Sequence, residues 1–106
     1  IEKGRVDRGF LGITPFNMTP GLASRLGIAA DEGVIIARVI PGTAAAEAGL
    51  ISEDVIIQLG DSPITNTGEL SKFLISHLPG ETVDLTYVRG EDEIHSQITL
   101  RERPEG

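Results

Sequence analysis

The sequence has no cysteine, only two histidines and few aromatic residues. Without cysteine, disulfides and thiolate metal sites are excluded, and two histidines are too few for most histidine-based metal sites. Because Phe, Tyr and Trp make up only 4% of the chain, the core has to be built from Ile, Leu, Val and Ala. We therefore expect no metal and no cofactor.

Basic charge is also scarce, with 9 Lys and Arg against 16 Asp and Glu and a net charge of −7. This balance argues against nucleic acid or an anionic membrane as the main partner. No apolar run approaches the ~20 residues of a membrane span, and no signal peptide is recognisable. The 106 residues suffice for one domain. Because residue 1 is Ile rather than Met, we expect the chain to be a piece of a longer protein.

Turn and capping residues divide the chain into short elements. A helix is predicted between Thr19 and Gly27, a second one is predicted after Thr43 as its N-cap, and the longest one follows Asn66 and ends at Pro79-Gly80. Runs of β-branched residues predict strands over 33–40, 54–59, 62–65, 82–88 and 93–100. The expected fold class is α+β, a small and mostly antiparallel β-domain.

Residues suited to catalysis are lacking. His95 is expected on the polar face of a strand and His77 in the last turn of a helix, so neither resembles the oriented base of a Ser-His-Asp triad. The acidic residues 91–93 fall in a hairpin turn, where solvated charge is expected. No phosphate-binding or dinucleotide-binding glycine motif is present. We expect this chain to have no catalytic activity of its own.

The stretch Arg8-Gly9-Phe10-Leu11-Gly12-Ile13 combines a cation, two glycines and three apolar side chains. Glycines at this spacing allow successive N–H groups to converge on an anion, and Arg8 can add a contact to a carboxylate. Leu11 and Ile13 would line an apolar hole beside it, so a peptide C-terminus would fit. A core strand entered through a flexible turn is the alternative, and the stretch alone leaves both open.

The longest predicted helix carries one apolar face, at Leu70, Phe73, Leu74 and His77. If the strand that begins near Leu11 lies beside this helix, an extended peptide can add between them as a further strand. The alternative is a plain amphipathic helix that covers the sheet.

The order and spacing of these segments resemble a PDZ domain, and more narrowly the circularly permuted bacterial form found in HtrA-type serine proteases. Residues 8–13 are similar to that family's R-G-x-Φ-G-Φ loop, where Φ is apolar. Residues 33–50 are similar to "G-V-x-V…V-x-x-x-S-P-A-x-x-A-G-L", and 54–56 with 63–64 to "G-D-V-I…N-G-x-P-I". The resemblance covers about residues 4–102.

Two positions depart from the family pattern. Glu53 stands where the family usually has Gly, and Gly60-Asp61 stands where it usually has Asn-Gly. Both fall in predicted turns away from the proposed groove. Residues 4–9 also resemble the linker that follows the protease barrel in that family. We therefore assign 4–102 to the PDZ domain, 1–3 to a remnant of linker and 103–106 to a flexible tail.

The resemblance implies a partly open β-barrel or sandwich of five to six strands, with one main helix and one or two short ones. It also implies two sets of site residues. The carboxylate-binding loop would comprise Arg8, Phe10, Leu11, Gly12 and Ile13, with the amides of the last three as donors. The peptide groove would comprise Thr14, Phe16, Leu70, Phe73, Leu74 and His77, with a core position as the alternative for Phe73. Pro15 runs alongside the ligand but lacks an N–H and can interrupt the ladder.

The function implied is capture of apolar C-termini of unfolded or cleaved polypeptides by strand addition. The domain would deliver them to, or regulate, a serine endopeptidase domain of the same chain, in an extracytoplasmic location. Two alternatives stay open: an assembly module whose groove binds another domain, and a PDZ domain of a tail-specific or intramembrane envelope protease.

Overall fold

Residues 11–101, which the computed structural model describes, alternate between short strands and helices. The bounds of these elements are β1 Ile13–Asn17, α1 Pro20–Leu26, β2 Val34–Val39, α2 Ala44–Glu47, β3 Val55–Leu59, β4 Ser62–Pro63, α3 Thr67–Ile75, β5 Thr82–Arg89 and β6 Asp92–Thr99. The predicted domain limits at 4 and 102, the linker 1–3 and the tail 103–106 all lie outside the described residues and stay predictions.

The six strands form one antiparallel sheet in the order β1-β2-β3-β5-β6, with the short β4 paired to β3. Strand β1 pairs only with β2 among the described residues, and helix α3 lies next to β1. The predicted α+β class is confirmed, and residues 11–101 contain six strands, one main helix and two short ones, within the expected numbers. The consequence for the site is an open strand edge that runs beside a helix.

Aliphatic side chains fill both faces of this sheet, as the scarcity of aromatic residues predicts. Neighbouring residues of β2 show the division, since Val34 and Ile36 belong to one buried cluster and Ile35 to another. The first cluster includes Leu70 and Phe73 of α3, and the second includes Ala23 of α1. Successive side chains of a strand point to opposite faces, so consecutive apolar residues are needed where both faces of a strand are buried.

All three predicted N-cap residues are confirmed, and two of them make a capping hydrogen bond with their side chains. The side-chain oxygen of Thr19 accepts from the N–H of Leu22 at 3.1 Å, and that of Asn66 accepts from Glu69 at 2.9 Å. Thr43 is the N-cap residue of α2, but its side chain makes no capping hydrogen bond. Its hydroxyl donates to the carbonyl of Ile40 at 2.7 Å, and this bond to the preceding turn takes the place of a capping hydrogen bond.

Helix α3 ends earlier than its sequence predicts. The last helical residue is Ile75, with Ser76 as the C-cap, so the expectation that the helix runs to Pro79 and includes His77 is wrong. The Ser76 N–H donates to the carbonyl of Phe73 at 3.1 Å, and its hydroxyl donates to that of Lys72 at 3.0 Å. These bonds tighten the last turn and divert the chain before the proline.

The two departures from the family pattern have different consequences. Glu53 has a φ of +75°, a left-handed conformation in which a side chain is strained. Gly60 has a φ of +58° and opens the two-residue turn between β3 and β4, so a glycine stands where the backbone requires one. Only Glu53 therefore carries a conformational cost.

Candidate functional site: a groove between β1 and α3

The loop that leads into β1 turns its carbonyl groups into the protein. The carbonyl of Leu11 accepts from the N–H of Ala45, and that of Gly12 accepts from Ile40, both at 2.8 Å. Gly12 has a φ of +86°, and a Cβ built on it would overlap the side chain of Thr43. Glycine is therefore required here by backbone conformation and by space together.

The N–H groups of the same loop are left available. Among residues 11–101, neither Leu11 nor Gly12 donates its N–H to another group. Ile13 lies opposite Val39, and the bond from the N–H of Ile40 to Gly12 shows that this is a non-hydrogen-bonded pair. The N–H and C=O of Ile13 therefore point away from β2. Three successive N–H donors, the first two on residues whose carbonyls are bonded elsewhere, are compatible with the predicted carboxylate nest, a role that stays a prediction.

The free edge of β1 continues beyond this loop. Asn17 lies opposite Val34, and the N–H of Met18 donates to the carbonyl of Gly33 at 2.9 Å, which marks a second non-hydrogen-bonded pair. Ile13 and Asn17 each present an N–H and a C=O to the free edge. Pro15 lies between them and can present only a C=O.

An apolar wall adjoins the loop and the strand edge. Leu11 and Leu70 are buried, with 2% and 4% of their surfaces exposed. Ile13 and Leu74 are half-buried and pack against the same cluster. The structure thus brings Leu11 and Ile13, predicted to line an apolar hole, into one cluster with the predicted groove residues Leu70 and Leu74. Ile13 and Leu74 are the accessible pair.

At the end of the groove away from Leu11 and Gly12, a hydrogen bond joins β1 to α3, and sequence reasoning missed it. The side-chain Oδ1 of Asn17, the last residue of β1, accepts a hydrogen bond from the N–H of Thr67 at the start of α3, at 2.8 Å. The two residues are 50 positions apart in sequence. An asparagine at a strand end carries no signal that it will reach a distant helix, so this contact needed the fold.

Phe73 and His77 lie together at the other end of α3. Phe73 belongs to the core with 6% of its surface exposed, the alternative that its sequence position left open. The ring of His77 stacks on that of Phe73, with centroids 3.8 Å apart and planes 17° apart. His77 Nδ1 lies 2.8 Å from the carbonyl of Phe73. A carbonyl oxygen only accepts hydrogen bonds, so Nδ1 of His77 carries the proton that is donated. Nε2 therefore stays available for a hydrogen bond to another group.

Thr14 and Phe16 occupy the alternate positions of β1. Both are exposed, and Phe16 has 56% of its surface accessible. Phe16 lies opposite Ile35, which belongs to the cluster on the sheet face away from α3. Their places in the groove stay predictions, while Arg8 and Phe10 lie outside the described residues.

The described chain has further features outside the groove. Within residues 11–101, no three His, Asp or Glu side chains are grouped to hold a metal ion. A separate open depression of about 750 Å³, between β3, β5 and β6, is lined by polar residues such as Gln58, Asp84 and His95, and contains none of the predicted site residues. No helix in this part of the chain is long and apolar enough to cross a membrane.

Comparison with known proteins defines the class. The PDZ domain family matches residues 9–100, and the chain belongs to that family. Its relatives are HtrA-type proteases, as expected. The "Periplasmic pH-dependent serine endoprotease DegQ" of Escherichia coli K12 is 29% identical over 94% of this chain and 22% of its own length. A "Probable periplasmic serine endoprotease DegP-like" of Bartonella henselae is 33% identical over 99% of this chain and 21% of its own.

A solved structure supports the same assignment at the level of the fold. The "HtrA-type protease AlgW with decapeptide" superposes with a TM-score of 0.84 and 28% identity, over 99% of this chain and 32% of that one. The chain spans about a fifth of the length of these curated relatives. What it shares with them is the PDZ part of a serine endoprotease.

Proposed function

We propose that this PDZ domain binds the C-terminal segment of a polypeptide as an additional strand beside β1. The terminal carboxylate lies on the N–H groups of Leu11, Gly12 and Ile13, and the last side chain enters the apolar pocket lined by Ile13 and Leu74. The observation that carries this proposal is the loop before β1, whose carbonyls are hydrogen-bonded inward while its amides have no partner among residues 11–101. A carboxylate supplies the acceptors that such a loop lacks.

Weak binding suits the proposed role. Burial of one apolar side chain contributes ~1.5–3 kcal/mol, and each hydrogen bond to a charged acceptor contributes ~1.5–3 kcal/mol. Ordering a flexible peptide and the lost translational freedom offset much of this gain. The balance corresponds to a dissociation constant that is roughly micromolar, and such a ligand is released quickly.

The surrounding protein is proposed from the relatives. Several are named periplasmic serine endoproteases, which supports an extracytoplasmic location and a serine endopeptidase domain in the same chain. The AlgW protease was solved with a decapeptide, which supports a peptide as the ligand. In this setting the domain delivers unfolded or cleaved polypeptides to the protease or regulates it. Arg8 adds a contact to the terminal carboxylate of the ligand.

The test is a fluorescence anisotropy titration with two labelled peptides that end in Val, one as the free acid and one as the amide. We expect roughly micromolar binding of the acid and at least about tenfold weaker binding of the amide, since one lost charged hydrogen bond corresponds to about that factor. Leu74→Glu should weaken binding of the acid by a similar factor. Ile51→Glu, at a side chain 52% exposed in a loop outside the groove, is the matched control and should change nothing.

Equal binding of acid and amide would contradict recognition of a C-terminus. Binding of neither peptide would contradict the proposal and favour a groove that binds another domain.

A further inference from the structure

Pro15 occupies a position of β1 whose backbone faces the free edge. The extra residue in the β1–β2 ladder lies on β2, because Thr14 pairs with Arg38 and Pro15 with Ile36, which leaves Ala37 unpaired. Strand β1 therefore alternates regularly, and residues 13, 15 and 17 all face outward. At the middle one of these positions the edge has no donor.

The geometry of an added strand determines which ligand group meets this gap. A peptide whose carboxylate lies at the Leu11–Ile13 amides runs antiparallel to β1. Its last residue then pairs with Ile13, and the residue two positions earlier pairs with Pro15. The N–H of that antepenultimate residue can donate to the carbonyl of Pro15. Its own carbonyl meets the pyrrolidine ring and has no partner on β1.

We propose that Pro15 is a specificity-determining residue that weakens main-chain recognition at the antepenultimate residue of the ligand. This inference rests on the proposed function. The domain reads the carboxylate and the last side chain, and holds the antepenultimate residue by one hydrogen bond where a regular edge would make two. Water replaces the missing donor at this exposed edge, so the antepenultimate residue contributes less main-chain affinity than it would beside a regular strand edge.

The test restores the donor and removes its partner separately. P15A adds an N–H at the edge, and a peptide with an ester in place of the amide after its antepenultimate residue has a weaker acceptor at the facing carbonyl. The N–H lost from that ester belongs to the penultimate residue, which faces away from β1. P63A, in the exposed strand β4, is the matched control for loss of a proline.

We expect P15A to bind the all-amide peptide about 3–10-fold more tightly than the wild type, the factor that corresponds to one net hydrogen bond. The ester should cancel this gain in P15A and change wild-type binding less than about twofold. P63A should bind both peptides as the wild type does. Thermal unfolding checks that each variant is folded, and Pro15→Val, which favours a strand, supplies the donor by a second route.

The outcomes separate the two proposals. If the wild type binds the acid peptide and neither P15A nor Pro15→Val binds it more tightly, the inference about Pro15 is contradicted and the proposed function stands. An equal ester effect in wild type and P15A would also overturn it, because the carbonyl would then have a donor other than residue 15. If no variant binds the acid peptide, both proposals fail.

Discussion

Asn17 Oδ1 accepts a hydrogen bond from the N–H of Thr67 at 2.8 Å, and this bond joins the end of β1 to the beginning of α3. The N–H at the first position of a helix has no partner within the helix. Asn17 satisfies it from outside, and in doing so it sets the separation between the two elements that border the groove.

Asn17→Ala should therefore reduce both stability and peptide binding. Loss of the bond is expected to cost about 0.5–1.5 kcal/mol, and binding should weaken several-fold because the groove is no longer held at one width. Asn66→Ala is the control, since it removes another bond to the first turn of α3, from Glu69, without freeing β1. Urea unfolding and anisotropy measure the two effects. An equal effect of both variants on binding would contradict this role for Asn17.

Gly12→Ala tests whether the loop conformation requires glycine for two reasons. The left-handed backbone alone costs ~1–2 kcal/mol for a residue with a Cβ, and at Gly12 that Cβ would also overlap Thr43. Gly27→Ala is the matched control, since Gly27 has a φ of +71° and no neighbouring atom within 4 Å of such a Cβ. We expect Gly12→Ala to destabilise clearly more than Gly27→Ala in urea unfolding. Equal losses would mean that the loop yields without cost.

Arg89, the last residue of β5, forms an ion pair with the buried carboxylate of Asp54, directly before β3. Asp54, with 1% of its side chain exposed, accepts from Nε and Nη2 of Arg89 at 2.9 Å each and from the N–H of Ile51. Arg89→Met should cost about 2–3 kcal/mol, because it leaves a buried charge without its cation. Arg101→Met removes an exposed pair with Glu47 and should cost less than about 1 kcal/mol. Equal costs in urea unfolding would contradict this distinction.

The Arg89–Asp54 pair also predicts that its contribution to the free energy of unfolding stays constant up to strongly alkaline pH. The hydrogen bond to Asp54 raises the pKa of Arg89 above its ordinary value. When folding raises the pKa of a basic group, the resulting stabilisation is fully present below the unfolded-state pKa. It is lost as the pH rises through the folded-state pKa. The difference in unfolding free energy between the wild type and Arg89→Met should therefore not fall between about pH 7 and 10. A decline over that range would contradict the pairing.

Glu53→Gly should stabilise the domain. Its φ of +75° is costly for a residue with a Cβ and free for glycine, so we expect a gain of about 1 kcal/mol. Glu93→Gly, in the regular strand β6, is the control and should lose about 0.5–1 kcal/mol. Thermal unfolding measures both. A loss at residue 53 would show that the Glu53 side chain makes a compensating contact.

Local patterns predicted the elements well because each depends on a few neighbouring residues. Thr19 and Asn66 cap helices as their types indicate, and Pro63 lies on a short edge strand because it cannot donate to a ladder. Local reasoning identified Thr43 as an N-cap residue but not the hydrogen bond that its side chain makes. The Thr43 hydroxyl can either cap helix α2 or donate to the preceding turn, and the sequence does not show which hydrogen bond forms.

The candidate site was predictable in its residue types but not in its geometry. The family resemblance implied a site formed by residues such as Leu11, Ile13, Leu70 and Leu74, and the fold brings these residues into one cluster. Two features depend on strand register, which no short pattern encodes. They are the contact of Asn17 with α3 and the outward direction of Pro15.

The central claim is that the loop before β1 reads a terminal carboxylate. It is tested most directly by a backbone-amide NMR titration of the labelled domain, with a short peptide ending in Val as the free acid and as the amide. We predict that the acid alone shifts the amide resonances of Leu11, Gly12 and Ile13. If both forms shift other resonances equally and leave these three in place, or if neither binds, the loop is a turn into a core strand and the account is contradicted.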